Sequence, residues 1–391
     1  MDPQQPGPPT PPGPYSQPPQ YPPPAGYPPP PAAYPPPPAG YPPPAGYPPP
    51  GPYQQQWGAP APYPGQFAVR EPRTVPAVPG TPFHRLARTA KHTWWRPLVG
   101  TLFLGATGFI VLVVVLIVWT IAHTAIAGDD FSTSSGSDFF PSDTENLALT
   151  LVSLGILTPL VVLSAWLVQR RPWFSVASVL NKIRWRWLLW CCLPGAGYVV
   201  VSYGLSILVS AVLPTDDSSG DSGHWPGFGA FVVPALVILV LVPFQSAAEE
   251  FVFRGWLIQA VGAYGSDSAE GKARWLRVVF RSPWPGIVVG GAAFVAGHGY
   301  TGWAMVDIFL FAATVGWLAV KTGGLEAGIA VHVLNNLFAF LLPAATGRLD
   351  TWDDQGGAPW TLLLSDVPAL VVFAFAVLFL ARKQEVATRS R

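Results

Sequence analysis

The sequence predicts an all-α membrane protein whose helices cross the bilayer about eight times. Of its 391 residues, 50% are hydrophobic and only 11% are charged, whereas a soluble domain usually carries about a quarter charged residues. From Leu98 onward, the chain contains a series of long apolar runs. About 20 apolar residues are enough for a helix to cross the hydrocarbon core. Composition and run length therefore both favour a polytopic membrane protein over a soluble one.

Eight apolar runs have the length of a membrane span. Residues 249–264 continue the fourth run as a helical stretch, and Pro243 is expected to kink it. Two adjacent cysteines, Cys191 and Cys192, lie inside the third run and are interpreted as small apolar side chains. The eight runs cover residues 98–122, 146–168, 187–213, 228–248, 284–302, 304–321, 324–345 and 361–381.

Basic residues concentrate in alternate loops of this topology. Lysines and arginines precede the first span, lie between the second and third spans, precede the fifth span and follow the eighth. The intervening loops are acidic, and Arg348 is their only lysine or arginine. Because cytoplasmic loops carry the excess of Lys and Arg, both termini are predicted to be cytoplasmic, as an even number of spans requires. We expect a multi-pass protein of the cell (cytoplasmic) membrane.

Residues 1–80 differ from the rest of the chain in composition. Five Tyr-Pro-Pro-Pro repeats begin between Tyr21 and Tyr47. Proline fixes its own backbone and disfavours helix at the preceding residue, so this segment is predicted to be a disordered Pro/Tyr-rich cytoplasmic tail. The tail could dock a partner that recognises proline-rich sequence, or it could be only a solvated spacer.

The first motif with chemical potential follows the fourth run, at Gln245-Ser-Ala-Ala-Glu249-Glu250-Phe-Val-Phe-Arg254. On a helix, Glu250 and Arg254 are four residues apart and share a face, so Arg254 can neutralise Glu250. Glu249 then remains as a spare carboxylate, which is the kind of group that serves as a general base. The alternative is that both glutamates are solvated at the inner membrane edge.

Two histidines lie well inside predicted spans. His298 ends the motif Phe294-Val-Ala-Gly-His298 in a glycine-rich run, and His332 begins the motif His332-Val-Leu-Asn335-Asn336. His332 and Asn336 are four residues apart, so both can face one partner, and a developing oxyanion is a partner of this kind. Each histidine could instead make an ordinary polar contact between helices.

Two aspartates, Asp307 and Asp366, also fall inside predicted spans. A charged group inside a bilayer is costly, so each needs a partner or a function. They are interpreted as polar contacts between helices, and the sequence assigns them no specific role.

In this order, the three motifs resemble the CAAX protease and bacteriocin-processing family of intramembrane glutamic endopeptidases, also called the CPBP or Abi family. The resemblance rests on Glu249-Glu250-Phe-Val-Phe-Arg254, on the Phe-x-x-x-His motif that ends at His298, and on the His-x-x-x-Asn motif that begins at His332. It covers roughly residues 229–345. It implies a membrane-embedded protease, like a CAAX prenyl endopeptidase, that cuts membrane-associated peptides or proteins.

The resemblance also implies roles for individual residues. Glu249 and His298 would activate a water molecule, and His332 and Asn336 would stabilise the tetrahedral oxyanion. Glu250 and Arg254 would support this catalytic group structurally. A metal-free glutamic mechanism without a cofactor is favoured, since the sequence has no His-Glu-x-x-His helix. If zinc were bound instead, its ligands would be Glu249, His298 and His332.

The alternative function is a non-catalytic membrane immunity or scaffold protein in which the polar cluster is structural. A transporter is disfavoured because the sequence has no inverted repeat of broken helices. The expected partners are a membrane-associated substrate and the lipid bilayer, with no nucleic acid. The predicted division is 1–80 for the tail, 81–228 for a basic juxtamembrane segment and three spans, 229–345 for the protease-like core, and 346–391 for an extracytoplasmic loop, the last span and a basic cytoplasmic tail.

Overall fold

Helices form almost all of the regular structure in the described part of the chain. In the residues that the structure describes, the strands are two short pairs of residues that run parallel to each other. The predicted all-α, polytopic fold is confirmed. The computed structural model describes residues 71–128, 139–213, 223–266, 274–353 and 356–391.

The helices range in length from five to 33 residues, so only some of them can cross a membrane. Two spans are composite, since α2 leads directly into α3, and α5 leads through a π-helical stretch into α6. In chain order the elements are α1 (Trp95–Ala127), α2 (Asp143–Gly155), α3 (Leu157–Leu167), α4 (Trp185–Val212), α5 (Phe228–Glu249), the π-helical stretch (Glu250–Leu257), α6 (Ile258–Gly262), α7 (Arg274–Val279), α8 (Trp284–Ala296), β1 (Thr301–Gly302), α9 (Trp303–Thr322), α10 (Glu326–Ala345), β2 (Gly357–Ala358) and α11 (Leu362–Lys383).

The described residues contain seven helical segments that are long and apolar enough to cross a membrane, where eight were predicted. The fifth predicted span, residues 284–302, contains only α8, which has 13 residues. Such a helix is about 20 Å long, whereas the hydrocarbon core is about 30 Å thick. The helix ends at a glycine-rich loop that includes Gly297, Gly299 and Gly302, and Gly302 has a φ of 58°, which glycine adopts without steric cost.

The two ends of the helical body lie side by side. Pro82 and Arg389 form an antiparallel bridge, and the Thr81 backbone N–H donates to Ser390 Oγ at 2.9 Å. The segment that precedes α1 therefore contacts the segment that follows α11.

The predicted disordered tail, residues 1–80, is described only from residue 71, and residues 1–70 lie outside the described part of the chain. Residues 71–80 contain no helix or strand, but they contact the helical body. The Val75 N–H donates to the Arg170 carbonyl at 3.0 Å, and the Gly80 N–H donates to the Ser390 carbonyl at 2.9 Å.

The fourth span continues beyond residue 248 as a helix, as predicted for residues 249–264. It runs continuously from Phe228 to Gly262, over 35 residues. Glu249 therefore lies in the interior of a long helix. The π-helical stretch begins at the next residue, and such stretches are frequent at functional sites.

Glycines let α8 and α10 approach this long helix closely. A Cβ atom on Gly290 would lie 2.6 Å from the Phe253 carbonyl oxygen, and one on Gly286 would lie 2.8 Å from that of Ile258. On α10, a Cβ on Gly328 would lie 2.6 Å from Glu250 Oε2. Helix α10 also packs against α4, α5 and α9. These contacts hold α8 and α10 against the segment that carries the glutamates.

Candidate active site

Four ionisable side chains form a buried cluster where α10 crosses the π-helical stretch. Glu250 Oε1 lies 3.0 Å from Arg254 Nη1 and 2.9 Å from His332 Nδ1. The other ring nitrogen, His332 Nε2, lies 3.3 Å from Glu249 Oε2. The exposed fractions are 6% for Glu249, 0% for Glu250, 1% for Arg254 and 3% for His332. The imidazole thus stands between the two glutamates.

The predicted pairing of Glu250 with Arg254 is observed, and a second contact holds the arginine. The guanidinium carbon of Arg254 lies 4.1 Å from the centre of the Phe294 ring on α8, a favourable cation–π arrangement. Arg254 therefore links the π-helical stretch to the helix that precedes His298.

Charge balance explains how these groups can remain buried. Buried charges are tolerated when they are paired, and removal of one partner leaves an uncompensated charge. If His332 is protonated, two cations balance two carboxylates. Glu249 contacts this cluster on one side only, through His332, and its opposite side borders open space.

That open space is a cavity of about 650 Å³ enclosed by parts of α1, α2, α5 and α10. Among its lining residues are Glu249, His298, Asn336, Gln245 and Tyr300. Three of the four predicted catalytic residues therefore border one cavity, although they come from three separate parts of the chain. The fourth, His332, is not among the lining residues and reaches the cavity through Glu249.

His298 lies just beyond the end of α8, and its own backbone contacts indicate its tautomer. Its Nδ1 is 2.8 Å from the Phe294 carbonyl oxygen. A carbonyl can only accept a hydrogen bond, so Nδ1 carries the proton and Nε2 of the neutral ring is an acceptor. The imidazole also stacks on Tyr300, with ring centres 5.8 Å apart and planes 9° apart. Glu249 is close enough to interact with it electrostatically.

Asn336 is held by α5. Its Nδ2 donates to Gln245 Oε1 at 3.2 Å and lies 3.4 Å from Ser246 Oγ. Gln245 was not among the predicted site residues, although its position one helical turn before Glu249 places it on the same face. Tyr300 was also missed, because its role depends on stacking in a loop, for which the sequence has no pattern.

The described residues contain no group of three or more His, Cys, Asp or Glu side chains arranged to hold a metal ion. The conditional zinc ligands Glu249, His298 and His332 do not form such a group. Both ring nitrogens of His332 face carboxylates, and Nδ1 of His298 faces a carbonyl. Of these three side chains, only His298 through Nε2 and Glu249 through its carboxylate have donor atoms left toward the cavity.

Comparison with known proteins gives this arrangement a family context. Residues 230–338 match the family model described as type II CAAX prenyl endopeptidase Rce1-like. This segment is Rce1-like. The match confirms the resemblance predicted from the three motifs, and the Rce1-like segment carries all four predicted catalytic residues. It indicates a protease-like membrane domain.

A bacterial protein is similar to this chain over a longer stretch than the Rce1-like segment. The uncharacterized protein YyaK of Bacillus subtilis (strain 168) is 24% identical over 251 residues, which are 63% of this chain and 77% of YyaK. No solved structure matches the chain.

Proposed function

We propose that the protein is an intramembrane endopeptidase that hydrolyses peptide bonds of membrane-associated proteins or peptides. The observation that carries this proposal is the shared cavity, in which Glu249, His298 and Asn336 meet inside a bundle of membrane helices. The Rce1-like match supports the same class of enzyme. The volume of the cavity, about 650 Å³, supports the binding of substrate atoms and a water molecule beside these side chains.

Glu249 and His298 together activate the attacking water. The unprotonated Nε2 of His298 accepts one hydrogen bond from this water, and the Glu249 carboxylate accepts the other and removes the proton. A positioned general base of this kind usually accelerates a reaction by about 10²–10⁴-fold. The removed proton is then available for the leaving amine.

Asn336 and His332 act when the tetrahedral oxyanion forms. Asn336 borders the cavity, and its amide can turn from Gln245 toward the oxyanion. His332 supports Glu249 by holding one of its oxygens, and Glu250 with Arg254 holds His332 in turn. The direct oxyanion contact predicted for His332 remains a prediction.

In the proposed orientation, the basic loops and both termini are cytoplasmic, in the cell membrane. The antiparallel bridge between Pro82 and Arg389 supports a shared side for the two ends of the body. The excess of lysine and arginine in the loops on that side supports its assignment to the cytoplasm.

Terminal-labelling mass spectrometry tests the proposal on the full set of membrane proteins that a cell offers as substrates. Membranes from cells that express the full chain are compared with membranes from cells that express Glu249→Gln or His298→Ala. New peptide termini are expected only with the unmodified chain. Glu385→Gln is the matched control, since it removes an exposed carboxylate near the carboxyl terminus. If both active-site variants generate the same termini as the unmodified chain, the proposal is wrong.

Treatment with a chelator distinguishes the glutamic mechanism from the zinc alternative. We expect full cleavage activity after dialysis against a strong chelator, because the described site has no third ligand free for a metal. Loss of activity that added zinc restores would contradict the metal-free mechanism.

A further inference from the structure

A second polar cluster lies between α4, α9 and α11, and the proposed reaction does not use it. The side chains of Asp307 on α9 and Asp366 on α11 are within hydrogen-bonding range of each other. Ser202 on α4 donates its hydroxyl to Asp366 Oδ1. Asp307 Oδ1 is buried and has no hydrogen-bond partner among the described residues.

The two aspartates occupy equivalent positions, one turn into their helices, beside a short strap. The strap is the parallel pair β1–β2, with Thr301 opposite Gly357 and Gly302 opposite Ala358. Helix α9 begins directly after β1, and α11 begins shortly after β2. The strap and the acid pair therefore fasten the same ends of the same two helices.

The strap is also the anchor of the loop that carries His298. This loop, residues 297–300, connects α8 to β1. The Tyr300 ring stacks on His298, and the next residue, Thr301, donates its backbone N–H to the Gly356 carbonyl at 3.3 Å. Displacement of the amino-terminal end of α9 would thus shift the residues that hold the His298 imidazole.

A contact between two carboxyl groups requires a proton, because an ionised carboxylate can only accept a hydrogen bond. When both groups are ionised, like charges repel at short range in surroundings of low dielectric constant. A buried oxygen without a partner, such as Asp307 Oδ1, adds to the cost of the charged form. The pair is therefore held together in the singly protonated state and separated in the doubly ionised state.

We propose that Asp307 and Asp366 form a proton-sharing clamp that positions the His298 loop, so that loss of the shared proton to water loosens the catalytic histidine. Both are positioning residues, since neither borders the cavity. The effect on catalysis rests on the proposed function, whereas the effect on the loop does not.

Two phenols are titratable neighbours of the pair among the described residues. Tyr198 contributes from α4, beside Ser202, and Tyr300 contributes from the loop after α8. Burial raises the pKa of Tyr300, and the nearby Asp307 and Glu249 carboxylates raise it further. Burial and the nearby carboxylates therefore favour the neutral form of this phenol.

Hydrogen–deuterium exchange of the full chain in lipid nanodiscs tests the clamp directly. Exchange of the amides of residues 299–302 is measured from about pH 5 to about pH 9 and is corrected for intrinsic rates. In the unmodified chain, the corrected exchange should rise with pH, by up to about tenfold per pH unit where opening is linked to loss of one proton.

Two substitutions separate the shared proton from simple packing. Asp307→Asn retains a donor for Asp366 without a second charge, so exchange should stay slow across the whole pH range. Asp307→Leu removes the hydrogen bond, so exchange should be fast at every pH. Asp350→Asn is the control, because it removes an exposed carboxylate, and its pH profile should match that of the unmodified chain.

The proposal is overturned if exchange in the unmodified chain is independent of pH, or if Asp307→Asn has the same pH profile as the unmodified chain. If Asp307→Asn or Asp307→Leu does not fold, Asp366→Asn provides the same comparison at the other member of the pair. The pH profile of cleavage then tests the link to catalysis, and Asp307→Asn should retain activity to higher pH. A pH-dependent loop in a chain that cleaves nothing would support the clamp and contradict the proposed function.

Discussion

The two buried polar clusters of this protein differ in charge balance. The cluster of Glu249, Glu250, Arg254 and His332 contains two acids and two groups that can be cationic, so it can be fully ionised and still neutral. Among the described residues, the pair of Asp307 and Asp366 has a serine beside it but no cation of this kind. The first arrangement can retain its geometry while a reaction proceeds, whereas the second depends on a single proton.

The balanced cluster is the group Glu249, Glu250, Arg254 and His332. Substitution of its arginine should have the largest effect on stability. Arg254→Met leaves Glu250 buried without its ion-pair partner and removes the contact with Phe294. We expect a loss of about 3–5 kcal/mol in the free energy of unfolding, measured by chemical unfolding in detergent micelles.

The control for this variant is Arg186→Met, which removes an exposed arginine at the start of α4 and should change stability by less than about 0.5 kcal/mol. Equal stability of the two variants would mean that the balanced cluster does not depend on its arginine.

A smaller loss of stability is expected for a substitution at Gly328, where α10 approaches the balanced cluster. Gly328→Ala places a Cβ atom 2.6 Å from Glu250 Oε2, so the carboxylate or the helix has to move, at a cost of about 1–3 kcal/mol. Gly197→Ala is the matched control, since a Cβ there meets nothing within 4 Å and gains helix propensity. The unfolding temperature should fall for Gly328→Ala and rise for Gly197→Ala. A shift in the same direction for both variants would contradict the close approach of α10.

Of the substitutions considered, an amide in the pair of Asp307 and Asp366 should change the free energy of unfolding least. At acidic pH, Asp307→Asn should change the free energy of unfolding by less than about 1 kcal/mol, because an amide replaces a protonated acid as donor. The difference from the unmodified chain should grow in favour of the variant as pH rises, since only the unmodified pair becomes doubly charged. Unfolding curves at several pH values measure this. A variant that is equally destabilised at every pH would contradict a shared proton.

Local patterns were enough to predict much of the fold and part of the site. Apolar run length predicted the long helices, and i, i+4 spacing predicted the pairing of Glu250 with Arg254 that the structure contains. The three motifs also predicted which residues would approach the cavity, apart from His332. These features depend on neighbours in the sequence, so the sequence carries them directly.

The remaining features depend on contacts between distant parts of the chain. Within the fourth span, the helix changes to a π-helical stretch directly after Glu249. The shortness of α8 leaves His298 in a loop instead of inside a membrane-spanning helix. The position of His332 between two glutamates requires the approach of α10 at Gly328. Helix spacing predicts none of these contacts.

A double-mutant cycle in cleavage tests the central claim, that Glu249 and His298 act on one water. The purified full chain in lipid vesicles cleaves the peptide identified by terminal labelling, alongside Glu249→Gln, His298→Ala and the double variant. Each single variant should lose about 10²–10⁴-fold in kcat, and the double variant should be scarcely slower than the slower single one, because residues that act as a unit are not additive. Wild-type rates in either single variant, or effects that multiply fully in the double variant, would contradict the account.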